Sequence, residues 1–241
     1  MTIDEVYRLV QTFASKDQRG FITPSEFNLL AKQAELELYN KRLSIIKEKA
    51  PTRKSQGIYG ESLSPELAKQ DIVGFLVSDI INTVNDPVPY KVSTITRSAD
   101  YIESIFINQD EEHSISTNIP VDIVEPKDVN QILRSSLVKP SIEYPIALIS
   151  GASSSVKRVS IFPEEIKSVV MYYYVYNNNV KWNYVTIAGK PVYNSSGSQQ
   201  LVISPRVHGE VVVKILEYLG VSIREAEIVQ YAQANEIKAD S

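Results

Sequence analysis

Cysteine is absent from the 241 residues of this chain, and histidine occurs only twice. The missing cysteine excludes disulfide bonds and thiol chemistry, and it suits a reducing cytoplasm. With so few histidines as well, the commonest pairs of nucleophile and general base are nearly unavailable. Phosphate-binding loops, dinucleotide-binding fingerprints and the HExxH zinc signature are also missing. The sequence therefore predicts no catalytic residues and no cofactor.

A strong charge of either sign and long apolar runs are lacking too. The formal net charge is −4, so nothing indicates a nucleic-acid or acidic-membrane partner. No apolar run approaches the roughly 20 residues of a membrane-spanning helix, and the acidic start MTIDEVYRLVQ is unlike a signal peptide. Tyrosine, by contrast, is plentiful at 14 residues, and tyrosine-rich surfaces are common at protein interfaces.

The stretch KDQRGFITPSEFNLL, residues 16–30, partly matches a calcium-binding loop. With Gly20 at the sixth position of such a loop, Glu26 falls at the twelfth, as required. The fifth position is then Arg19, which brings positive charge where the ion needs an oxygen ligand. A turn at Gly20 and a helix start capped by Thr23 and Glu26 explain the same letters. We therefore predict a turn and a helix here rather than a metal site.

Other residues with metal-binding or catalytic potential are few. The cluster QDEEHS contains Asp110 and His113, but adjacent residues diverge in direction, and a solvated hairpin tip is the better interpretation. His208 has no acidic or serine partner at a recognisable spacing, so we expect an ordinary packed or exposed histidine. A pair of carboxylates that meets only in the folded chain stays open as an enzymatic alternative.

The first 50 residues predict a helical hairpin. A capping box of Thr2 and Glu5 begins a helix over 2–14, and a second helix runs from Pro24 to about residue 49. The second helix has two apolar stripes, one of Phe27, Leu30, Ala31, Ala34, Leu38 and Ile45, the other of Leu29, Leu36 and Leu43. Two apolar stripes on opposite sides of a helix must each be buried against a different neighbour, which is the rest of the chain on one side and either the chain or another subunit on the other. Leu29, Leu36 and Leu43 are therefore predicted interface residues. Burial of both stripes within one subunit is the alternative.

The rest of the chain changes from helix to strand and back. Residues 51–89 predict a linker and a third helix over 64–81, with the connecting segment over 50–63. Residues 90–205 predict a β-rich domain. Residues 206–241 predict C-terminal helices, the first ending at a glycine cap at Gly220 and the second beginning at Ser222, and all segments are predicted to pack as one structural unit. Predicted strands cover 91–97, 101–108, 120–123, 146–150, 159–162, 168–176, 182–187 and 201–203, with a short helix over 126–137. Helices first, strands in the middle and helices last indicate an α+β fold with a mainly antiparallel sheet.

The strand SVVMYYYVY, residues 168–176, is apolar or aromatic on both faces. Tyr172, Tyr174 and Tyr176 share one face because side chains alternate along a strand. Such a strand is covered within the chain or faces a partner, and these tyrosines are therefore predicted interface residues. The following NNN, residues 177–179, predicts a hairpin turn.

Several segments in this order resemble virion structural proteins of tailed phages, including the crAss-like phages. They are TIDEVYRLVQ, KDQRGFITPSEFNLLAKQAELELY, SSLVKPSIEYPIALIS, VSIFPEEIKSVVMYYYV and VKWNYVTIAGKPVYNSSGSQQLVISPRVHGEVVVKILEYLGVSI. The resemblance implies a non-enzymatic ring or adaptor protein of the head–tail connector, stacked below the portal and lining the DNA exit channel. Such rings are usually twelve-fold.

The implied partners are other copies of the chain, the portal protein and adjacent ring or tail proteins, with double-stranded DNA only as passing cargo. The implied location is the virion neck or tail, after assembly in the host cytoplasm. A ring subunit needs two different adhesive faces, which the striped helix and the tyrosine face could supply. A tail protein that binds host-surface carbohydrate and a small hydrolase with paired carboxylates are the alternatives.

Overall fold

The structure is a computed structural model that describes residues 1–16, 21–48, 64–82, 84–86, 92–107, 119–151, 156–177 and 179–220. Helices at both ends and strands between them confirm the predicted α+β class. The chain divides into two compact units, Met1–Phe75 with Tyr176–Ser241 (unit 1) and Leu76–Val175 (unit 2).

Five α-helices and eleven strands are present in the described part of the chain. The helices are α1 (Ile3–Lys16), α2 (Pro24–Glu48), α3 (Pro65–Asp71), α4 (Pro126–Arg134) and α5 (His208–Tyr218), with 3-10 turns at Val73–Phe75 and Pro205–Val207. The strands are β1 (Leu76–Asn82), β2 (Val84–Asp86), β3 (Val92–Ser98), β4 (Tyr101–Ile107), β5 (Ile119–Pro120), β6 (Asp122–Val124), β7 (Ile146–Gly151), β8 (Val156–Phe162), β9 (Ser168–Tyr174), β10 (Tyr184–Ile187) and β11 (Lys190–Tyr193).

Both predicted capping boxes begin their helices. The Thr2 backbone N–H donates to the Glu5 carboxylate at 2.6 Å, and the Glu5 N–H donates back to the Thr2 hydroxyl at 3.3 Å. Thr23 and Glu26 repeat the arrangement at 2.9 and 3.3 Å. Glu26 is therefore used in capping, which confirms the predicted helix start; the preceding residues 17–20 lie outside the described residues.

Unit 1 has a helical core. Helix α5 packs against α1 and α2, and α2 packs against α3. The buried apolar residues of these helices include Ile3, Val6, Val10, Phe27, Ala31, Ala34, Leu38, Val211, Val212, Ile215 and Leu216. Helix α5 is followed by Gly220 at φ 67°, which confirms the predicted glycine cap. The predicted connector over 50–63 and the terminal helix after Ser222 lie outside the described residues.

The predicted third helix over 64–81 is wrong beyond Asp71. Helix α3 ends there, and the chain continues as strand β1 from Leu76. Gly74 lies between them, where an added Cβ would stand 2.6 Å from the Val202 carbonyl oxygen, so only glycine allows this close approach. The β-branched residues that follow favour a strand, and pairing with β9 decides the outcome.

Unit 2 contains two sheets around one core. One has the strand order β1-β9-β4-β5, and the other has the order β2-β3-β8-β7-β6. Neighbours are antiparallel except for β6 and β7, which are parallel, so the predicted antiparallel character is confirmed. Both sheets contribute to the shared core, which includes Ile102, Ile105, Ala147, Val159, Ile161, Val169 and Met171.

Two predictions after β9 are wrong. The NNN segment does not join a hairpin, because β9 pairs with β1 and β4 whereas β10 pairs with β11. The true hairpin turn is Ala188–Gly189, with φ values of 50° and 76°. The predicted strand over 201–203 does not form; there the backbone N–H groups of Val202 and Ile203 donate to the buried Glu35 carboxylate at 2.7 and 3.1 Å.

Candidate assembly surfaces

The three predicted leucines of α2 have different surroundings. Leu29 is 69% exposed, Leu36 is half-buried, and Leu43 is only 4% exposed. A seven-residue repeat drifts by about 20° per heptad around an α-helix, which turns Leu43 towards the buried side of α2. Leu43 therefore packs within the chain, as the alternative interpretation required, and Leu29 and Leu36 are left as surface candidates.

Of the three predicted tyrosines, Tyr172 and Tyr174 belong to unit 2 and Tyr176 belongs to unit 1. Tyr174 is 2% exposed, and burial raises the pKa of its hydroxyl to about 12. The Tyr176 hydroxyl donates to the Lys32 carbonyl at 3.1 Å. Tyr172 is half-buried and makes an edge contact with Phe106, at 5.9 Å between ring centroids. Tyr174 and Tyr176 thus serve intramolecular packing, and Tyr172 is left as the surface candidate.

A more exposed apolar element is the hairpin of β10 and β11, residues 184–193, which we call the hairpin arm. Val185 lies opposite Val192, and they are 45% and 43% exposed; Ile187 is 58% exposed. The sheet has only these two strands, so no third strand pairs with either edge in the described chain. An isolated two-stranded hairpin is marginally stable in water, so its position depends on contacts at its base.

The base of the hairpin arm is held by Trp182. Its indole stacks on Tyr7 of α1 at 4.1 Å between centroids and lies 5.7 and 5.9 Å from the rings of Tyr184 and Tyr193. The indole N–H donates to Asp4 at 3.0 Å. These contacts attach the arm to the first helix, while Val185, Ile187 and Val192 stay exposed in the described part of the chain.

The side chain of Asn28 fixes the backbone at the same point. Its amide oxygen accepts the Trp182 backbone N–H at 2.7 Å, and its amide nitrogen donates to the Trp182 carbonyl at 3.1 Å. This reciprocal pairing satisfies the backbone groups of a residue that lies in no regular strand. The hairpin arm therefore starts from a fixed point of unit 1.

Unit 2 has its own exposed apolar segment, residues 135–145, which we call the apolar loop. Leu137 is 94% exposed, Tyr144 is 76% exposed and Val138 is 64% exposed. The Ser135 hydroxyl accepts the N–H groups of Leu137 and Val138, both at 3.2 Å, and Ser141 and Tyr144 bond each other through their backbones. The loop thus presents these side chains on a hydrogen-bonded backbone.

The buried charged groups of unit 1 form a structural cluster. The Arg42 guanidinium donates to Asp71 at 2.8 Å and to Glu210 at 2.5 Å, and Arg206 also binds Asp71. Both carboxylates are therefore paired with guanidinium groups, which joins α2, α3 and α5. Each carboxylate of the cluster therefore has a structural role in holding these elements together.

Two further titratable groups are buried in unit 1. Burial raises the pKa of the Glu35 carboxyl. Hydrogen bonds from the Ile203 and Val202 N–H groups and from the Tyr176 hydroxyl lower this pKa, but burial has the larger effect. Burial lowers the pKa of His208, whose Nε2 lies 3.1 Å from the Ile203 carbonyl oxygen. His208 is thus a packed histidine, one of the two outcomes expected from the sequence.

Neither a metal-binding group nor a membrane helix is found in the described residues. No three His, Asp or Glu side chains come together there in a way that could hold a metal ion. No helix in that part of the chain is long and apolar enough to cross a membrane. The cluster QDEEHS lies outside the described residues.

No model of a known protein family matches this chain, and no curated protein matches it in sequence either. The exposed apolar elements thus remain the features from which a function can be argued. The alternation of apolar and polar residues around Thr186 indicates a strand at the hairpin arm, but alternation alone does not distinguish an exposed hairpin from one that is buried within the chain.

Proposed function

We propose that this chain is a non-enzymatic structural subunit of a tailed-phage virion, a ring or adaptor protein of the portal–tail assembly that lines the DNA exit channel. The hairpin arm carries the proposal. Its Val185, Ile187 and Val192 are each more than 40% exposed, whereas its base is fixed to α1 through Trp182. A fixed base with an uncovered apolar end is the arrangement expected of an element that inserts into a neighbouring subunit.

The distribution of exposed apolar residues supports assembly with more than one neighbour. Unit 1 has the hairpin arm and Leu29, and unit 2 has the apolar loop with Leu137 and Tyr144. A closed ring requires two different surfaces on each subunit, because each copy contacts one neighbour on either side. The two units each supply one such surface.

The resemblance to phage virion proteins points in the same direction. Its segments over 135–150 and 180–223 contain the apolar loop and the hairpin arm. In this proposal the helices of unit 1 fix the subunit against an adjacent ring or the portal, and the exposed apolar elements join subunits laterally.

Mass measurement and imaging test the proposal. The purified chain, alone and mixed with portal protein of the same phage, is examined by light scattering and by electron microscopy. A homogeneous ring of about twelve copies supports the proposal. Proteomics and imaging of purified virions then locate the chain at the neck or tail.

Three outcomes contradict the proposal. A monomer absent from purified particles would overturn it. A trimer that binds host glycans would favour the carbohydrate-binding alternative. Turnover of a polymer that is lost on replacing one Asp or Glu would favour a hydrolase.

A further inference from the structure

The four sheet edges of unit 2 differ in their ability to accept another strand. In the described residues, β5 has two residues and ends in Pro120, and β2 and β6 have three residues each. Short edges and proline are devices that prevent pairing between sheets. Strand β1 instead has seven residues and pairs with β9 over its whole length without a bulge.

Strand β1 also lacks the charges that protect an edge. Its sequence, LVSDIIN, contains no proline, lysine or arginine. Its one charged residue, Asp79, accepts the Tyr173 hydroxyl at 2.8 Å, on the face that carries the core-packed Val77 and Ile81. The opposite face presents only uncharged side chains, among which Ile80 is 68% exposed.

Ile80 is the last member of an apolar row across the outer face of the four-stranded sheet. In the strand register, Ile80 lies opposite Val170, Val170 opposite Phe106, and Phe106 opposite Pro120. Val170 and Phe106 are half-buried, whereas Ile80, where the row reaches the open edge of β1, is 68% exposed. Cross-strand apolar pairs stabilise sheets, and this row has no further pair at Ile80 in the described chain.

We propose that β1 pairs antiparallel with β1 of a second copy of this chain, with Ile80 opposite Ile80 at the two-fold axis. Ser78 then lies opposite Asn82, and Asp79 opposite Ile81. The apolar row continues from one sheet into the other, and the two four-stranded sheets become one. This is strand addition at an exposed edge, with the same segment as donor and acceptor.

Charge and side-chain alternation select this register. Centring the pair on Asp79 would place two carboxylates directly opposite each other, which destabilises a sheet. Residues directly opposite each other in a sheet point to the same face. In a register shifted by one residue, each outward-facing side chain of one copy would therefore lie opposite a core-facing side chain of the other copy, because side chains alternate along a strand with a period of two. Centring the pair on Ile80 separates the two Asp79 carboxylates, and it places the most exposed apolar side chain of the strand opposite the same side chain of the second copy.

This pairing does not rest on the proposed ring function. It closes on itself between two copies, whereas a ring requires contacts between two different surfaces. The hairpin arm and the apolar loop are separate segments from β1. Loss of the pair and loss of a ring are therefore distinguishable experimentally.

Engineered cysteines test the register directly, because the chain has no cysteine of its own. In the proposed pair, Ile80→Cys forms a disulfide-linked dimer under mild oxidation. Ser78→Cys alone does not, because the two copies of position 78 are about 13 Å apart at about 3.3 Å per residue. A mixture of Ser78→Cys and Asn82→Cys chains gives the cross-linked heterodimer. Absence of the Ile80→Cys dimer, or equal cross-linking of Ser78→Cys alone, overturns the proposal.

A charge at the edge gives a second test that needs no covalent bond. Ile80→Lys is expected to raise the dissociation constant of the pair by about tenfold or more in sedimentation equilibrium, because two lysines would oppose each other. The matched control is Ile123→Lys, since Ile123 is also an exposed isoleucine, 44% exposed, on the short edge strand β6. An unchanged constant in Ile80→Lys, an equal effect of the control, or pairing of β1 only with a different protein would each contradict a pair of copies.

Discussion

The indole ring of Trp182 stacks on the phenol ring of Tyr7, with 4.1 Å between the centroids and 27° between the planes. Tyr7 lies in the first helix of the chain, and Trp182 lies immediately before the hairpin arm. The contact therefore connects the N-terminal segment of unit 1 with the segment of unit 1 that follows unit 2 in the sequence. Trp182 is 2% exposed, so its removal leaves a large cavity at this junction.

Replacing Trp182 by alanine is expected to destabilise unit 1 by about 3–5 kcal/mol, the usual cost of truncating a buried aromatic residue. Trp182→Phe retains a ring against Tyr7 but loses the hydrogen bond to Asp4, so it should cost less. Urea denaturation followed by circular dichroism measures both, since the chain has no other tryptophan to report by fluorescence. Equal unfolding midpoints for the wild type and the alanine variant would contradict this role.

Removal of the buried carboxylate of Asp71 is expected to destabilise unit 1 about as much as the removal of Trp182. Asp71 is 1% exposed and binds two arginines, of which Arg42 is itself buried. Asp71→Ala leaves the buried Arg42 guanidinium with only the half-exposed Glu210 as its partner, at an expected cost of up to about 3–5 kcal/mol. Trp182 fluorescence during urea denaturation measures the loss, because Trp182 lies in the same unit.

A more exposed ion pair provides the control for this experiment. Glu217 and Lys214, in the same unit as Asp71 and Trp182, are 3.0 Å apart, with side chains 52% and 27% exposed. Glu217→Ala should leave the unfolding midpoint nearly unchanged, since water and ions screen such a pair. If Asp71→Ala also left the unfolding midpoint unchanged, the buried cluster would contribute nothing to the stability of unit 1.

The buried Glu35 predicts a specific pH dependence of stability. Burial raises the pKa of its carboxyl above the ordinary 4.5, so the folded chain holds this proton to higher pH than the unfolded chain does. The contribution of Glu35 to stability is therefore full below pH 4.5 and is lost as the pH rises through the pKa of the folded state. Glu35→Gln does not titrate and should become more stable relative to the wild type as the pH increases.

Urea denaturation of both proteins between about pH 4 and pH 8 measures this difference. His208 contributes in the opposite direction, because burial lowers its pKa below 6.5 and stability is lost as the pH falls. That contribution is present in both proteins and cancels in the comparison. A difference in the free energy of unfolding that stays constant with pH would show that the Glu35 carboxyl titrates alike in the folded and unfolded chain.

Local signals in the sequence predicted the helix starts correctly. The capping boxes at Thr2 and Thr23 depend only on residues three positions away, so the sequence contains the whole interaction. The glycine cap at Gly220 is local in the same sense. The α+β class followed from the order of such segments along the chain.

Interactions between distant segments decided what the sequence did not predict. Helix α3 gives way to β1 where Gly74 meets Val202, a contact that no local pattern contains. The exposure of Leu29 and the burial of Leu43 depend on which elements surround α2, although both leucines occupy the same stripe. The open edge of β1 is likewise a property of the assembled sheet.

The hairpin arm provides the most direct test of assembly. Val185 and Val192 lie opposite each other, and replacing both by threonine keeps β-branched side chains of nearly the same shape. The hydroxyl groups are solvated in the free chain but would be buried without partners in a subunit contact. The double variant should therefore unfold like the wild type, whereas the protein concentration needed for assembly should rise by about tenfold or more.

Light scattering over a concentration series measures assembly, and Trp182 fluorescence measures folding. Val73→Thr is the control, because Val73 is 59% exposed in the same unit but lies outside the hairpin arm. It should assemble like the wild type, since threonine at an exposed site outside the contact stays solvated. Assembly of the double variant at wild-type concentrations would show that the hairpin arm is not part of the contact between subunits.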